Sequence, residues 1–178
     1  MSERSERTSV TAPVRVRPEG PADADAIRAV HRAAFGGGEP AEAALVDALR
    51  ADAGWLPGLS LVAVGDGEVV GHVVATRARL GDVPALGVGP LGVIPARQGR
   101  GVGTALMHAL LGAAQARDET VLGLLGEPSY YGRFGFVAAT GVGITAPDPA
   151  WGCHFQVLVP AGLPAGTFRY AAPFDEVS

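Results

Sequence analysis

The chain has one cysteine, Cys153, in 178 residues, so no internal disulfide framework can hold the fold. A reducing compartment is the expected setting. No run of about 18 uninterrupted apolar residues occurs, so no segment reads as a membrane-spanning helix and no membrane partner is expected. The first dozen residues, MSERSERTSVTA, lack the apolar stretch of a signal peptide and read as a mobile tail over 1–12. The expected address is cytoplasmic. Positive charge is also scarce: 14 basic residues against 18 acidic ones give a net charge of −4 and a pI near 5.5. That removes the case for general nucleic-acid binding, which needs a basic face to displace counterions.

What is present is apolar material. Hydrophobic residues make up 48% of the chain and charged ones 18%, a balance that favours a folded interior over disorder. A chain of this length buries roughly 70% of its unfolded surface as one domain, here expected over residues 13–178.

Val14 and Val16 alternate with Arg15 and Arg17 as a short strand. Pro21 suits a first helical turn, and Asp23 and Asp25 complement its positive end. Ile27, Val30, Ala34 and Phe35 then share one helical face. Gly36 to Gly38 end that helix, and Ala41, Leu45, Val46 and Leu49 mark a second, stopping near Gly54. From Leu59, LSLVAV, GDGE and VVGHVVATRARL read as strand, tight turn and strand. ALGVGPLGVI is a third apolar run, closed by Pro95, and a helix follows. TVLGLL, GEPSYYGRFGF and a β-rich stretch around HFQVLVP complete the chain. The order predicts a mixed α/β sheet with helices on its faces.

The stretch PARQGRGVGTALMHA, from Pro95 to Ala109, places three glycines and two arginines where a helix must start. A nucleotide P-loop would require a lysine after Gly103, and none follows. The dinucleotide pattern occurs literally as GVGPLG at Gly87 to Gly92, but it contains Pro90 and opens no helix. The turn itself reads Gln98-x-x-Gly101-x-Gly103. Val102, Leu106, Ala109, Leu110 and Ala113 form the apolar stripe of the helix behind it. Glycines allow close backbone approach and a helix N-terminus carries partial positive charge, so the turn suits a diphosphate, with Arg97 and Arg100 reinforcing it. An ordinary tight βα turn with solvated arginines fits the same residues.

GPLGVIPARQGRGVGTAL resembles the acetyl-CoA-binding segment of the GNAT superfamily of N-acetyltransferases, with its [RQ]-x-x-G-x-[GA] signature. YYGRFGF resembles the closing motif of that superfamily, and PSYYGRFGF with the terminal FRYAAPFDEV is most similar to the YhbS-like group of acetyltransferases. The resemblance runs from Val14 onward. It implies a GNAT fold, in which a central, mostly antiparallel sheet is splayed at the acetyl-CoA site with helices on both faces. It further implies an acetyl-CoA-dependent N-acetyltransferase that uses no metal. The acetyl group would pass directly to a primary amine, on an acceptor more consistent with a small molecule than with a protein tail. Carried over residue by residue, the acetyl-CoA contacts are Leu91, Gly92 and Val93 on the strand, then Gln98, Gly99, Arg100, Gly101, Val102, Gly103 and Thr104 on the turn. The Val93 amide is the expected partner of the acetyl oxygen. Gly92 and Pro90 would open the strand pairing so that the pantetheine arm can enter.

Tyr131 takes the position of the general acid that protonates the departing thiolate. Its unperturbed pKa of about 10 keeps the phenol protonated at neutral pH. Tyr130 reads mainly as a packing residue. The general base stays open among His72, Glu127, Asp82 and a water chain. His31 and His108 fall on predicted helices without a partner at metal-ligand spacing, and Cys153-His154 is only an adjacent pair, so no metal is expected. Cys153 itself is expected to pack beside a strand. A homodimer is expected from the family. The runner-up function is a catalytically silent acyl-CoA-binding or sensor module.

Overall fold

In the computed structural model the described residues are 13–36, 38, 40–163 and 165–177. The expected N-terminal tail, residues 1–12, lies outside them. β1 (Arg15–Pro18) leads to α1 (Ala24–Phe35) and α2 (Ala41–Ala51). Pro21 opens a short 3-10 turn ahead of α1, and Gly36 at φ 79° ends the helix with its N–H on the carbonyl of Arg32. β2 (Ser60–Gly65), β3 (Glu68–Leu80) and β4 (Val83–Val93) then form an antiparallel meander. Its first turn relies on Asp66 and Gly67, both at positive φ.

α3 (Val102–Gln115) precedes β5 (Leu122–Leu125) and the single-turn α4 (Pro128–Tyr131). β6 (Val137–Ala138), β7 (Ile144–Thr145), β8 (Phe155–Leu158) and β9 (Gly166–Arg169) follow. Of these last four only β8 stands where the sequence pattern predicts a strand. β6 and β7 have two residues each, too few for any alternation to register.

The sheet runs β1-β2-β3-β4-β5-β8-β6, with β9 joining β3 and β7. The β4–β5 and β7–β9 pairs are parallel and the rest antiparallel. Period-two alternation assigns the faces. Leu61, Ala63, Val73 and Ala75 meet Leu106, Met107 and Leu110 of α3. On the opposite face Val62 meets Ile27 and Val46, and Val74 meets Leu45 and Leu49, burying α1 and α2.

One residue breaks the expected alternation. Ala63 pairs with Gly71 but Val64 pairs with Val69, so Val70 is the extra residue of a bulge. Val70 consequently turns into the α3-side core, while His72 and Val74 keep the other face. A strict period of two would set Val70, His72 and Val74 on one face; the bulge leaves His72 with Val74 alone.

Candidate active site

β4 and β5 pair only over Leu86–Val88 and Leu122–Leu124. A second bulge lies just beyond: Val73 faces Leu91 and Ala75 faces Val88, so Gly89 and Pro90 together oppose Val74. From there to Val93 the strand is held by β3 on one side, and its other edge is open. The N–H of Ile94 donates to the carbonyl of Val70 at 3.0 Å, which fixes the phase of the ladder. Because antiparallel partners alternate between bonded and non-bonded pairs, Gly92 bonds toward β3, while Leu91 and Val93 point their backbone groups to the open edge. One of these, the Val93 carbonyl, accepts from the Gln98 side chain at 2.9 Å. The Val93 N–H and the main chain of Leu91 thus face the splay.

Beside that edge lies a cavity of about 540 Å³ bordered by Leu91, Val93, Gln98, Gly99 and the first turn of α3 through Thr104. Gly99 and Gly101 sit at φ 69° and 82°, where a Cβ would be strained, and α3 begins at Val102 with its N–H groups toward the cavity. The turn therefore has the form of an anion cradle. Its charge is distributed differently from the sequence reading. Arg97 borders the cavity but is ion-paired with Asp66 of the β2–β3 turn, and Arg100 does not line it. Arg133 does, stacked 4.6 Å from the Tyr130 ring centre with its Nε donating to the Tyr130 carbonyl. Arg133 stands in the YYGRFGF stretch, and the sequence reading gave it no role. The Tyr130 hydroxyl would lie 2.6 Å from a Cβ on Gly103, so glycine there leaves room for the phenol at the helix mouth.

A second cavity, of about 660 Å³, begins where the first ends, with Leu91 bordering both. Its walls include Val88 to Leu91, Leu125 to Glu127 and Tyr131. The Tyr131 ring lies against Gly126 and within the cluster formed with Tyr130, Phe134 and Phe136. Burial, with a smaller contribution from Tyr130, pushes its phenol up to about 12, so the group is a hydrogen-bond donor throughout the neutral range.

The three base candidates separate in space. Asp82 sits in the turn at the far end of the β3–β4 hairpin from the splay. His72 is fully buried and linked on both ring nitrogens. Glu127 borders the larger cavity, 3.9 Å from His154 Nε2. Cys153, expected beside a strand, is instead exposed, with its sulfur 3.9 Å from His154 Nδ1. The short turn ahead of β8 holds it outside the sheet. Among the described residues no cluster of three or more metal-ligating side chains occurs.

His72 belongs to a buried chain. Ser60 Oγ donates to Glu19, so the 2.8 Å contact to Ser60 is made by a proton on His72 Nε2. His72 Nδ1 then accepts from His31 Nε2 at 2.9 Å. This leaves His31 Nδ1 as a lone pair, buried without a hydrogen-bond partner, and 2.9 Å from where a Cβ on Gly92 would stand. Burial followed by the neighbouring His72 lowers His31 to about 3. Burial alone would raise Glu19, but hydrogen bonds from His72, Arg50 and Ser60 outweigh it and hold the carboxylate at about 2. The chain braces α1 against the back of β4 behind the open edge.

The sequence profile of the acetyltransferase (GNAT) domain matches residues 15–139. Among curated proteins, the uncharacterized N-acetyltransferase YjhQ of Escherichia coli strain K12 is 39% identical over 132 residues, 71% of this chain and 72% of YjhQ. Uncharacterized N-acetyltransferase YhbS of the same strain is 34% identical over 145 residues, 80% of this chain and 84% of YhbS. The crystal structure of Escherichia coli YhbS in complex with CoA superposes with a TM-score of 0.84 at 29% identity, covering 92% of each chain. A GNAT acetyltransferase from Brucella melitensis in complex with acetyl-CoA does so with a TM-score of 0.74 at 35% identity, covering 91% of this chain and 98% of that one. A strand splayed by a bulge, a glycine turn at a helix mouth and these likenesses lead to one assignment: the chain belongs to the GNAT acetyltransferase family.

Proposed function

We propose that this acetyltransferase moves the acetyl group of acetyl-CoA directly onto the primary amine of a small molecule. The observation that carries the reading is the meeting of two cavities at Leu91, one with the form of an anion cradle and one walled by apolar side chains. The CoA diphosphate lies on the turn from Gln98 to Thr104, opposite Arg133. The pantetheine arm follows the open edge of β4 and pairs with the main chain of Leu91, where Gly92 keeps the strand thin. The Val93 N–H polarises the acetyl carbonyl, and its charge stabilisation strengthens as the oxygen becomes anionic.

The amine nitrogen attacks the carbonyl carbon, the C–S bond breaks, and the electron pair leaves with sulfur. Tyr131 donates to that thiolate. A phenol at about 12 keeps its proton against a thiolate whose thiol titrates at about 8.5, so Tyr131 stabilises the leaving group by donating a hydrogen bond, and the thiolate is protonated from water as CoA departs. Glu127, backed by His154, is the base candidate that borders the cavity, and it takes the amine proton directly or through water.

Thiol release from acetyl-CoA with a panel of primary amines tests the reading. The Tyr131→Phe variant keeps the ring against Gly126 and is expected to lose about 10²-fold in kcat with acetyl-CoA affinity nearly unchanged. Loss of affinity instead would make the tyrosine a packing residue. Thermal stabilisation by acetyl-CoA with no thiol released from any amine would turn the protein into an acyl-CoA-binding module.

A further inference from the structure

The larger cavity has a composition that bears on its occupant. Besides Tyr131, four aromatic rings border it from parts of the chain far apart in sequence: Phe35 at the end of α1, Trp151 in the turn before β8, and Tyr170 and Phe174 after β9. Tyr170 and Phe174 stack with ring centres 4.5 Å apart, and Trp151 meets Tyr170 at 6.3 Å. Phe35 remains 45% exposed although its other face stacks on His31. Trp151 stands edge-on to Tyr170, their planes 62° apart, so the rings form an angled apolar corner that takes a broad hydrocarbon by stacking and edge contacts.

The charged groups at the same cavity are all of one sign. Glu42 in the first turn of α2, Glu127 after β5, and Asp148 before the β8 turn border it. Asp148 has one oxygen on the N–H of Ala150 at 2.8 Å. Among the described residues no arginine or histidine lines the cavity, and the chain contains no lysine at all. A carboxylate on the acceptor would thus meet three carboxylates and no cation, whereas an ammonium group would be attracted. A long polycation would satisfy the acids and leave the rings uncovered.

We infer that the acceptor is an aromatic or similarly broad apolar monoamine without a carboxylate, such as a 2-arylethylamine, held with its ring in the corner formed by Trp151, Tyr170 and Phe174. This rests on the proposed acetyl transfer for the chemistry but on the cavity alone for the recognition. The two are tested separately.

Calorimetric titration of the full chain loaded with CoA would compare 2-phenylethylamine, phenylalanine and spermidine. Phenylethylamine is expected to bind at least tenfold more tightly than either of the others, and Phe174→Ala to weaken it about tenfold. Glu127→Gln should weaken it about fivefold while leaving CoA binding unchanged. Equal binding of phenylalanine, preference for spermidine, or no binding by any of the three would overturn the inference. Thiol release from acetyl-CoA with the same amines then judges the chemistry: preferential binding of phenylethylamine without release would sink the enzyme reading and leave the recognition standing.

Discussion

Gly92 shows how much a single missing methyl group decides. A Cβ there would stand 2.9 Å from His31 Nδ1, 3.1 Å from His31 Cε1 and 3.4 Å from the Cβ of Ala34. His31 is fully buried and tied to His72, so it is no flexible end that can swing aside. Gly92→Ala is therefore expected to cost about 2 kcal/mol by overpacking. The variant should melt several degrees lower and lose kcat, because the displaced strand carries Leu91 and Val93. A melting temperature and kcat equal to wild type would show that α1 yields freely. The sequence singles the glycine out, but not the close approach of α1 that requires it. Its neighbour comes from a helix some sixty positions earlier, and no local pattern records that approach.

The elements most visible in the sequence are those with enough residues to display a period. α1, α2, the β2–β3 hairpin and α3 stand close to where their apolar spacing puts them. The bulge at Val70 was hidden because a β-branched run looks the same whether or not one residue is unpaired. It matters because it sets which face His72 takes, and so joins β3 to α1 through the Glu19–Ser60–His72–His31 chain.

That chain gives the sheet-helix layer a pH signature. His31 is held at about 3 when folded, against an ordinary value of 6.5, so below pH 6.5 the unfolded chain takes up a proton that the folded one refuses. Glu19 is held at about 2 against 4.5, and its contribution is present above 4.5 and lost as pH falls toward 2. Both act in one direction. Stability should be full above pH 6.5 and should fall continuously on acidification, first over the histidine window and then over the carboxylate window. Melting temperatures across pH 7 to 3 would read this, and His31→Gln should flatten the limb between pH 6.5 and 4. A melting temperature that rises on acidification would contradict the assigned protonation states.

At the scale of the whole molecule, the two cavities are products of tertiary assembly. Leu91, Val93, Gln98, Gly99 and Gly101 to Thr104 border the smaller cavity and Tyr131 the larger, but much of the wall of the larger cavity comes from α1, α2, the turn before β8 and the residues after β9. Glu42, Asp148, Trp151, Tyr170 and Phe174 have no spacing in common, which is why sequence patterns leave the acceptor unnamed. Arg133 differs: it stands three residues after Tyr130 in a stretch that resembles the closing motif of the superfamily, and both line the smaller cavity. Acetyl-CoA, bound by the folded chain alone, should stabilise the entire domain. At a concentration 100 times its Kd the gain is about 2.7 kcal/mol, which for a chain of this size raises Tm by about 5–10 °C. A Tm unmoved by acetyl-CoA would mean that the glycine turn does not hold the cofactor.

Leu91 borders both cavities, and a shared wall imposes a chronology. An amine lodged first at the inner end of its cavity would stand across the place where the thioester must arrive, and would have to depart before the reaction could begin. Initial rates with both substrates varied are therefore expected to show acetyl-CoA binding ahead of the amine, and product inhibition to show CoA leaving last. A random order would mean that the wall at Leu91 leaves both entrances open.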